Sequence, residues 1–319
     1  MSIVQLIRRN QDRDFSVSDI IKKTLGSRGS FGPLHEDTWI RVSSIGTICE
    51  REEVICSLNN IHRDSITSAD SEVNFAHGHA VHWMFQTKVL ADIGILIGGW
   101  RCTYCGTQYG SRKTRMIPRP SRCTRCGAIA GDRHRPDGRP DTDVDDNAFI
   151  FVEEWLGNEE YKIGGSPDGQ MLLDYDPNYK LEDLTLLEFK STNETNFKKV
   201  ENAPDFVHVI QGMIYLWLTG YKKLKIVYFN KNEKGTDGIR EYDLDYDAEC
   251  IDRVLAAVKT VRAGILDRKL PPRTVCSTFD CSRAFRCKAK NICFADDLFK
   301  ETGDGLVPDK ESEDGSTAK

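Results

Sequence analysis

Two short cysteine pairs constrain this chain more than any other feature. The segments CTYCG (102–106) and CTRCG (123–127) stand so that seventeen residues separate Cys105 from Cys123. A C-x2-C-x17-C-x2-C pattern sets Cys102, Cys105, Cys123 and Cys126 on two tight knuckles. Four thiolates complete the tetrahedral shell of Zn2+, so the expected site is structural, with no open position for chemistry. The chain has 11 cysteines in all. Its opening residues, MSIVQLIRRNQDRD, lack the apolar core of a secretory leader, which places the protein in the cytoplasm, where thiols stay reduced and metal explains them better than disulfides. Cys56 and Cys250 lie outside any close group and read as ordinary buried thiols.

The knuckles are embedded in positive charge. Between residues 101 and 126 the chain carries Arg101, Arg112, Lys113, Arg115, Arg119, Arg122 and Arg125 and no acidic residue, against a net charge of −5 for the whole. A generally basic nucleic-acid binder is thereby excluded, and DNA contact would have to be local. Arg112, Lys113, Arg115, Arg119 and Arg122 are the candidates for phosphate contact, with Tyr104 and Tyr109 placed to stack on bases. The bland alternative is a solvated face.

The organisation along the sequence is that of an α/β protein with an insertion. Residues 1–98 read as mainly helical: SVSDIIKKTL opens on a serine cap, and HAVHWMFQTKVLADIGI has helical apolar spacing. Residues 99–130 form the inserted cysteine module. Residues 131–270 hold the strands AFIFVEEWL, QMLLDY and TLLEFKS, the turn GGSPDG, the helix PDFVHVIQGMIYLWLTG and the strand KLKIVYFN, an order that predicts a mixed central sheet flanked by helices. Residues 271–297 are a second cysteine segment, and 298–319 form an acidic tail expected to be disordered. No run of about 18 apolar residues is present to span a bilayer.

Within TLLEFKST, period two puts Glu188 and Lys190 on one face and Leu187 and Phe189 on the other. An exposed ion pair is the ordinary reading of such a strand. Yet a hairpin from the glycine-flanked Asp168 of GGSPDG would bring a second carboxylate beside Glu188 and Lys190. Two carboxylates sharing a site repel unless a divalent cation holds them, and hard oxygen ligands suit Mg2+ or Mn2+. Such an ion, with a lysine beside it, is equipped for phosphodiester hydrolysis.

SPDG followed by LLEFKS resembles the PD-(D/E)xK nuclease core. QGMIY, with Gln211 and Tyr215 at i and i+4, is similar to the Q-x-x-x-Y motif of its RecB-like branch, and GHAVH, ending at His82, to that branch's G-x-x-x-H helix. The resemblance implies that His82, Asp168, Glu188 and the Phe189 carbonyl bind the Mg2+ or Mn2+, that Lys190 is catalytic, and that Gln211 and Tyr215 position the DNA strand.

The C-terminal segment VCSTFDCSRAFRCKAKNICF holds Cys276, Cys281, Cys287 and Cys293. In the iron–sulfur members of the RecB-like group, which include AddB and CRISPR-associated exonucleases, one early cysteine joins three late ones, and VSSIGTICERE resembles the early motif. The resemblance implies a [4Fe–4S] cluster on Cys49, Cys276, Cys287 and Cys293, with Cys281 the alternative to Cys276. The spacing departs from the group's C-x2-C-x5-C, since Ala284 stands where a cysteine is expected, and a zinc site of the C-terminal four alone is the competing assignment. The expected activity is that of a metal-dependent deoxyribonuclease, an exonuclease on DNA ends or single strands in recombination, replication or repair, of phage-module type, working with a helicase or recombinase. A structure-selective nickase and a non-catalytic DNA-binding protein are the rival readings.

Overall fold

The computed structural model describes residues 27–295 apart from 36, 132–146, 234 and 277. The serine-capped helix expected within 16–25 and the acidic tail lie outside the described residues. Two compact units emerge. The larger takes in Trp39–Thr47 and Ser65–Leu255, and the smaller takes in Ile48–Asp64 and the chain from Ala256 onward.

The larger unit is built on an eight-stranded mixed sheet. In order across it run Ile239–Asp245, Lys223–Asn230, Thr185–Thr192, Gly169–Met171, Leu96–Cys102 and Gln108–Tyr109, with Ile117–Pro118 and Phe149–Val152 also paired to Leu96–Cys102. Thr185–Thr192 is parallel to Lys223–Asn230 and antiparallel to Gly169–Met171. A parallel neighbour demands a crossover, and the helix Phe206–Thr219 lies in that connection. Asp205 caps this helix by accepting from the Val207 N–H, and Gly220 ends it in the left-handed region at φ 76°. Gly212 lets the helix lie close on the sheet: a Cβ there would stand 2.2 Å from Leu224 Cδ2.

Thr185–Thr192 is a central strand buried on both faces. Leu187 and Phe189 join Trp100, Phe149 and Phe229 in an apolar cluster, while Glu188 on the opposite face is only 1% exposed. Glu188 is therefore no surface ion-pair residue.

Three strands or helices differ from the periodicity of the sequence. The expected strand AFIFVEEWL is split: Phe149–Val152 pairs with Leu96–Cys102, whereas Leu156–Asn158 joins a separate three-stranded sheet with Ile163–Gly165 and Ile40–Arg41. Glu153 and Glu154 occupy the crossing between the two sheets. The strand expected over QMLLDY ends at Met171, and Leu173 is 69% exposed. The helix over 79–95 begins earlier, at Ala69, where Ser68 accepts from the Ser71 N–H, and passes at Met84 into a wider π-helical turn that runs to Leu90.

In the smaller unit the helix Glu50–Leu58 and the helix Lys290–Ala295 share a core of Ile55, Cys56, Ala289 and Cys293. Arg283 pairs with Glu52 at 2.7 Å, the Lys288 N–H donates to the other Glu52 oxygen at 3.0 Å, and Arg51 donates to the Pro271 carbonyl at 2.7 Å. Among the described residues no helix is long and apolar enough to cross a membrane.

Candidate active site

The register of the central hairpin brings the carboxylates together. Gly169 pairs with Leu187, so Asp168, one residue before that pair, stands beside Glu188. Its Oδ2 accepts the Phe189 N–H at 2.6 Å, and its Oδ1 lies 3.5 Å from His82 Nδ1. The N–H and C=O of a strand residue lie on the same edge, so the Phe189 carbonyl is turned toward the Asp168 edge as well.

His82 reaches this point because the helix Ala69–Trp83 crosses the strand at Gly78, where a Cβ would stand 2.9 Å from Ser191 Oγ. The His82 ring then rests edge-on against Phe189, 5.9 Å between centroids. Burial lowers the histidine's proton affinity, but the hydrogen bond and charge of Asp168 outweigh it, and the net displacement is upward.

Glu188 Oε1 accepts from Lys190 Nζ at 2.5 Å and from Gln211 Nε2 at 2.6 Å, while Gln211 Oε1 accepts from Lys190 Nζ at 3.0 Å. Glu188 Oε2 is buried with no hydrogen-bond partner. Burial, then the Asp168 charge, pushes the Glu188 carboxyl up to about 8. Lys190 is held above its ordinary value: burial opposes its charge, but Glu188 and Asp168 more than compensate. One turn along the same helix, the Tyr215 hydroxyl donates to the Ser166 carbonyl at 2.9 Å. Gly165 makes room for it, since a Cβ there would meet Tyr215 Oη at 2.7 Å. Gln211 and Tyr215 thus contact Glu188, Lys190 and the turn that carries Asp168.

Two residues here were not singled out from sequence. Gln86, 7% exposed on the π-helical turn, donates from Nε2 both to the Asp168 carbonyl at 2.6 Å and to Glu153 Oε1 at 2.9 Å. Burial, despite that hydrogen bond, and the Asp168 charge raise the Glu153 carboxyl. Gln86 stands four residues after His82, one helical turn on, and that spacing was the signal available in the sequence, whereas no local spacing ties Glu153 to Asp168.

The cysteine knuckles grow from the same sheet, for the strand Leu96–Cys102 ends on the first knuckle cysteine. Sγ atoms lie 3.6 Å apart between Cys102 and Cys126 and 3.5 Å apart between Cys105 and Cys123, and all four fall within 4.8 Å of one another. Four sulfurs about 2.3 Å from one tetrahedral ion would stand roughly 3.8 Å apart, close to this spacing. Gly106 and Gly127 close the two knuckles with φ of 72° and 79°, donating to the Cys102 and Cys123 carbonyls at 2.9 Å each. Tyr109 donates to Cys123 Sγ at 3.2 Å, which lowers that thiol's pKa, and its ring packs on Phe149. Tyr109 is therefore part of the module's interior.

The basic residues of this module divide into two sets. Arg112 donates to Tyr221 Oη at 2.8 Å and to Gln170 Oε1 at 2.5 Å, and its Nε lies 3.7 Å from Glu154. Arg119 pairs with Asp92 and donates to the Thr87 carbonyl at 3.0 Å. Arg101, Lys113, Arg115, Arg122 and Arg125 are exposed, Arg115 lying over the Tyr179 ring.

In the smaller unit Cys49 precedes the helix Glu50–Leu58. Burial raises its thiol, and Cys293 lies near enough to contribute. Burial pushes Cys276 up to about 11 and Cys287 up to about 12; Cys276 also hydrogen-bonds Cys281, and both Cys276 and Cys287 feel Cys49. These thiols are neighbours, yet among the described residues only the four of the knuckles draw together within 4.8 Å. A cube of iron and sulfide holds its cysteines further apart than a single ion does.

No family model matches the chain, and no curated protein matches it. Among solved structures it is similar to an alkaline exonuclease from Laribacter hongkongensis, at 11% identity over 72% of this chain and 89% of that one, with a TM-score of 0.37. It is similar to the same enzyme in complex with dAMP at 12% identity, over 73% and 90% of the two chains, with a TM-score of 0.37. A phage related exonuclease from Haemophilus somnus 129PT matches at 16% identity over 36% of this chain and 60% of that one, with a TM-score of 0.24.

Proposed function

We propose that this chain is a divalent-cation-dependent deoxyribonuclease of the PD-(D/E)xK kind, an exonuclease acting on DNA ends or single strands. One observation carries the reading: Glu188, buried beside Asp168, keeps one carboxylate oxygen without a hydrogen-bond partner while Lys190 and Gln211 occupy the other. A buried acceptor left unpaired is costly, and a cation is the natural partner for it. The donor set of Asp168 and Glu188 oxygens, the Phe189 carbonyl and His82 fits Mg2+ or Mn2+. A cation held by these residues would polarise the scissile phosphate and lower the pKa of its bound water.

The remaining steps belong to the chain itself. Lys190, kept charged by its two carboxylate neighbours, stands at the rim of the site to orient water and to offset the negative charge that develops on the phosphoryl oxygens. Gln211 holds Lys190 and Glu188 in one arrangement, and Tyr215 secures the turn that presents Asp168.

The four knuckle cysteines are assigned to a structural zinc, on the ground that their spacing suits one tetrahedral ion. Cys49, Cys276 or Cys281, Cys287 and Cys293 are assigned to a [4Fe–4S] cluster, supported by their proximity within one unit and by the motif resemblance. Contact with DNA phosphates is assigned to Lys113, Arg115 and Arg122, because Arg112 and Arg119 are committed to internal partners. The test is incubation of the protein with linear and circular single strands in Mn2+, alongside Glu188→Gln. Degradation of the linear strand alone, lost in the variant, is the expected result. Cleavage of the circle would make it an endonuclease, and no cleavage of either strand or of a linear duplex would overturn the reading.

A further inference from the structure

Asp168 is anchored by more than its own hairpin. Its carboxylate is fixed by the Phe189 N–H and faces His82, whereas its main-chain carbonyl receives the Gln86 side-chain amide at 2.6 Å. That amide is itself oriented. A glutamine side chain can turn either its nitrogen or its oxygen toward a neighbour, and an oxygen turned toward the Asp168 carbonyl would oppose two acceptors. Glu153 supports the same orientation from the other side, for its Oε1 lies 2.9 Å from the same Nε2 and accepts from it. One amide nitrogen thereby spends both hydrogens on two acceptors 15 residues apart in sequence, Glu153 and Asp168.

The sequence and backbone explain why Gln86 can do this. Met84–Leu90 is wound as a π-helix, with the Ala91 N–H donating to the Gln86 carbonyl at 3.2 Å. A spacing of four keeps His82 and Gln86 on one side of the helix, so both address Asp168, one its carboxylate and the other its carbonyl. Gln86 is buried to 7% exposure in a segment where Trp83 and Met84 are exposed, and burying an amide without partners would be unfavourable.

We propose that Gln86, oriented by Glu153, is a positioning residue for cation binding: it sets the Asp168 turn so that the carboxylate meets the ion without rearranging. This rests on the proposed cation site and adds to it two residues that act through Asp168. Partners one step removed from a metal ligand typically change metal affinity by about 10–100-fold when removed.

The measurement is Mn2+ binding to the DNA-free protein by calorimetry, with wild type, Gln86→Leu, Glu153→Gln, Glu153→Ala and Asp168→Ala compared at equal folded fraction by circular dichroism. Gln86→Leu and Glu153→Ala should weaken Mn2+ about 10–100-fold. Glu153→Gln, which keeps an accepting oxygen, should bind nearly as wild type does. In cleavage assays the Mn2+ dependence of Gln86→Leu should move to higher concentration while its rate at saturating Mn2+ returns toward wild type. If Gln86→Leu does not fold, Glu153→Ala against Glu153→Gln decides the matter alone. Unchanged Mn2+ affinity in folded Glu153→Ala or Gln86→Leu overturns the proposal while leaving the cation site standing, provided Asp168→Ala has lost binding. Failure of wild type to bind Mn2+ overturns both.

Discussion

The Tyr215 hydroxyl donates to the carbonyl of Ser166, 49 residues earlier in the chain and two residues before Asp168. Through this bond the helix Phe206–Thr219 holds both halves of the candidate site, since Gln211 on the same face binds Glu188 and Lys190. Tyr215→Phe removes the bond and keeps the ring. It should cost about 1 kcal/mol of stability, the typical worth of a hydrogen bond, measurable by urea denaturation. Cleavage should fall more than that loss implies, because the Asp168 turn is released. A variant with wild-type cleavage would show that the turn holds its place without Tyr215.

Lys190→Met should retain the fold and lose cleavage. The side chain's aliphatic part packs much as before, whereas the charge proposed to face the phosphate is gone, and removing one such stabilising donor lowers kcat by roughly 10²–10³. Single-turnover cleavage with saturating excess enzyme gives the rate of the chemical step apart from binding. A change confined to KM would move Lys190 from chemistry to DNA binding.

His208 gives the protein an acid-sensitive helix entry. Tyr228 Oη accepts the Asp205 N–H at 3.0 Å and lies 2.8 Å from His208 Nδ1, an arrangement satisfied when Tyr228 donates to a neutral imidazole. Burial, followed by the Lys190 charge, depresses His208 to about 4. An unfolded histidine titrates near 6.5. Between those values the unfolded chain binds the extra proton, so this contribution to stability is full above about 6.5 and is lost as pH falls toward 4. Denaturation midpoints at pH 7 and pH 5 should therefore fall further apart in wild type than in His208→Gln. Equal differences in the two proteins would count against the buried neutral histidine.

The arginines of the cysteine module should separate by experiment into two kinds. Arg112→Ala strips partners from Tyr221, Gln170 and Glu154 and should destabilise the fold by on the order of 1.5–3 kcal/mol, the range for hydrogen bonds to a charged group. Changing Lys113, Arg115 and Arg122 together to alanine should leave the melting temperature nearly unchanged. It should lower the log–log salt dependence of single-strand binding by roughly 2–3 units, at about 0.7–0.9 per phosphate contact. An unaltered slope would assign those side chains to solvent or to a protein partner.

Metal analysis distinguishes the two cysteine groups. Protein purified without air should be brown and contain about four irons and one zinc per chain. Cys49→Ala should lose the colour and keep the zinc, while Cys126→Ala should lose the zinc and keep the colour. A colourless protein with two zincs would end the iron–sulfur assignment. The same pair of variants made with Cys276→Ala and Cys281→Ala identifies the remaining ligand, since those two thiols are hydrogen-bonded to each other.

What the sequence determined by itself is whatever a fixed local period or a bonded spacing controls. Period two placed Glu188 and Lys190 on one strand face, a spacing of four placed Gln211 and Tyr215 on one helix face, and the glycine-ended C-x-x-C repeats made two matching knuckles. The tertiary structure alone decided the partners those side chains would meet. Gln86 and Glu153 are 67 residues apart and Arg112 and Tyr221 are 109 apart, so nothing in a window of sequence relates them. It turned Arg112, Arg119 and Tyr109 inward, although they sit in the same basic, aromatic stretch as Lys113 and Arg122, which remain exposed. The physical reason is that charge and periodicity are properties of a segment, whereas the cost of a buried polar atom is set by every element packed against it, and that sum exists only once the sheet has formed.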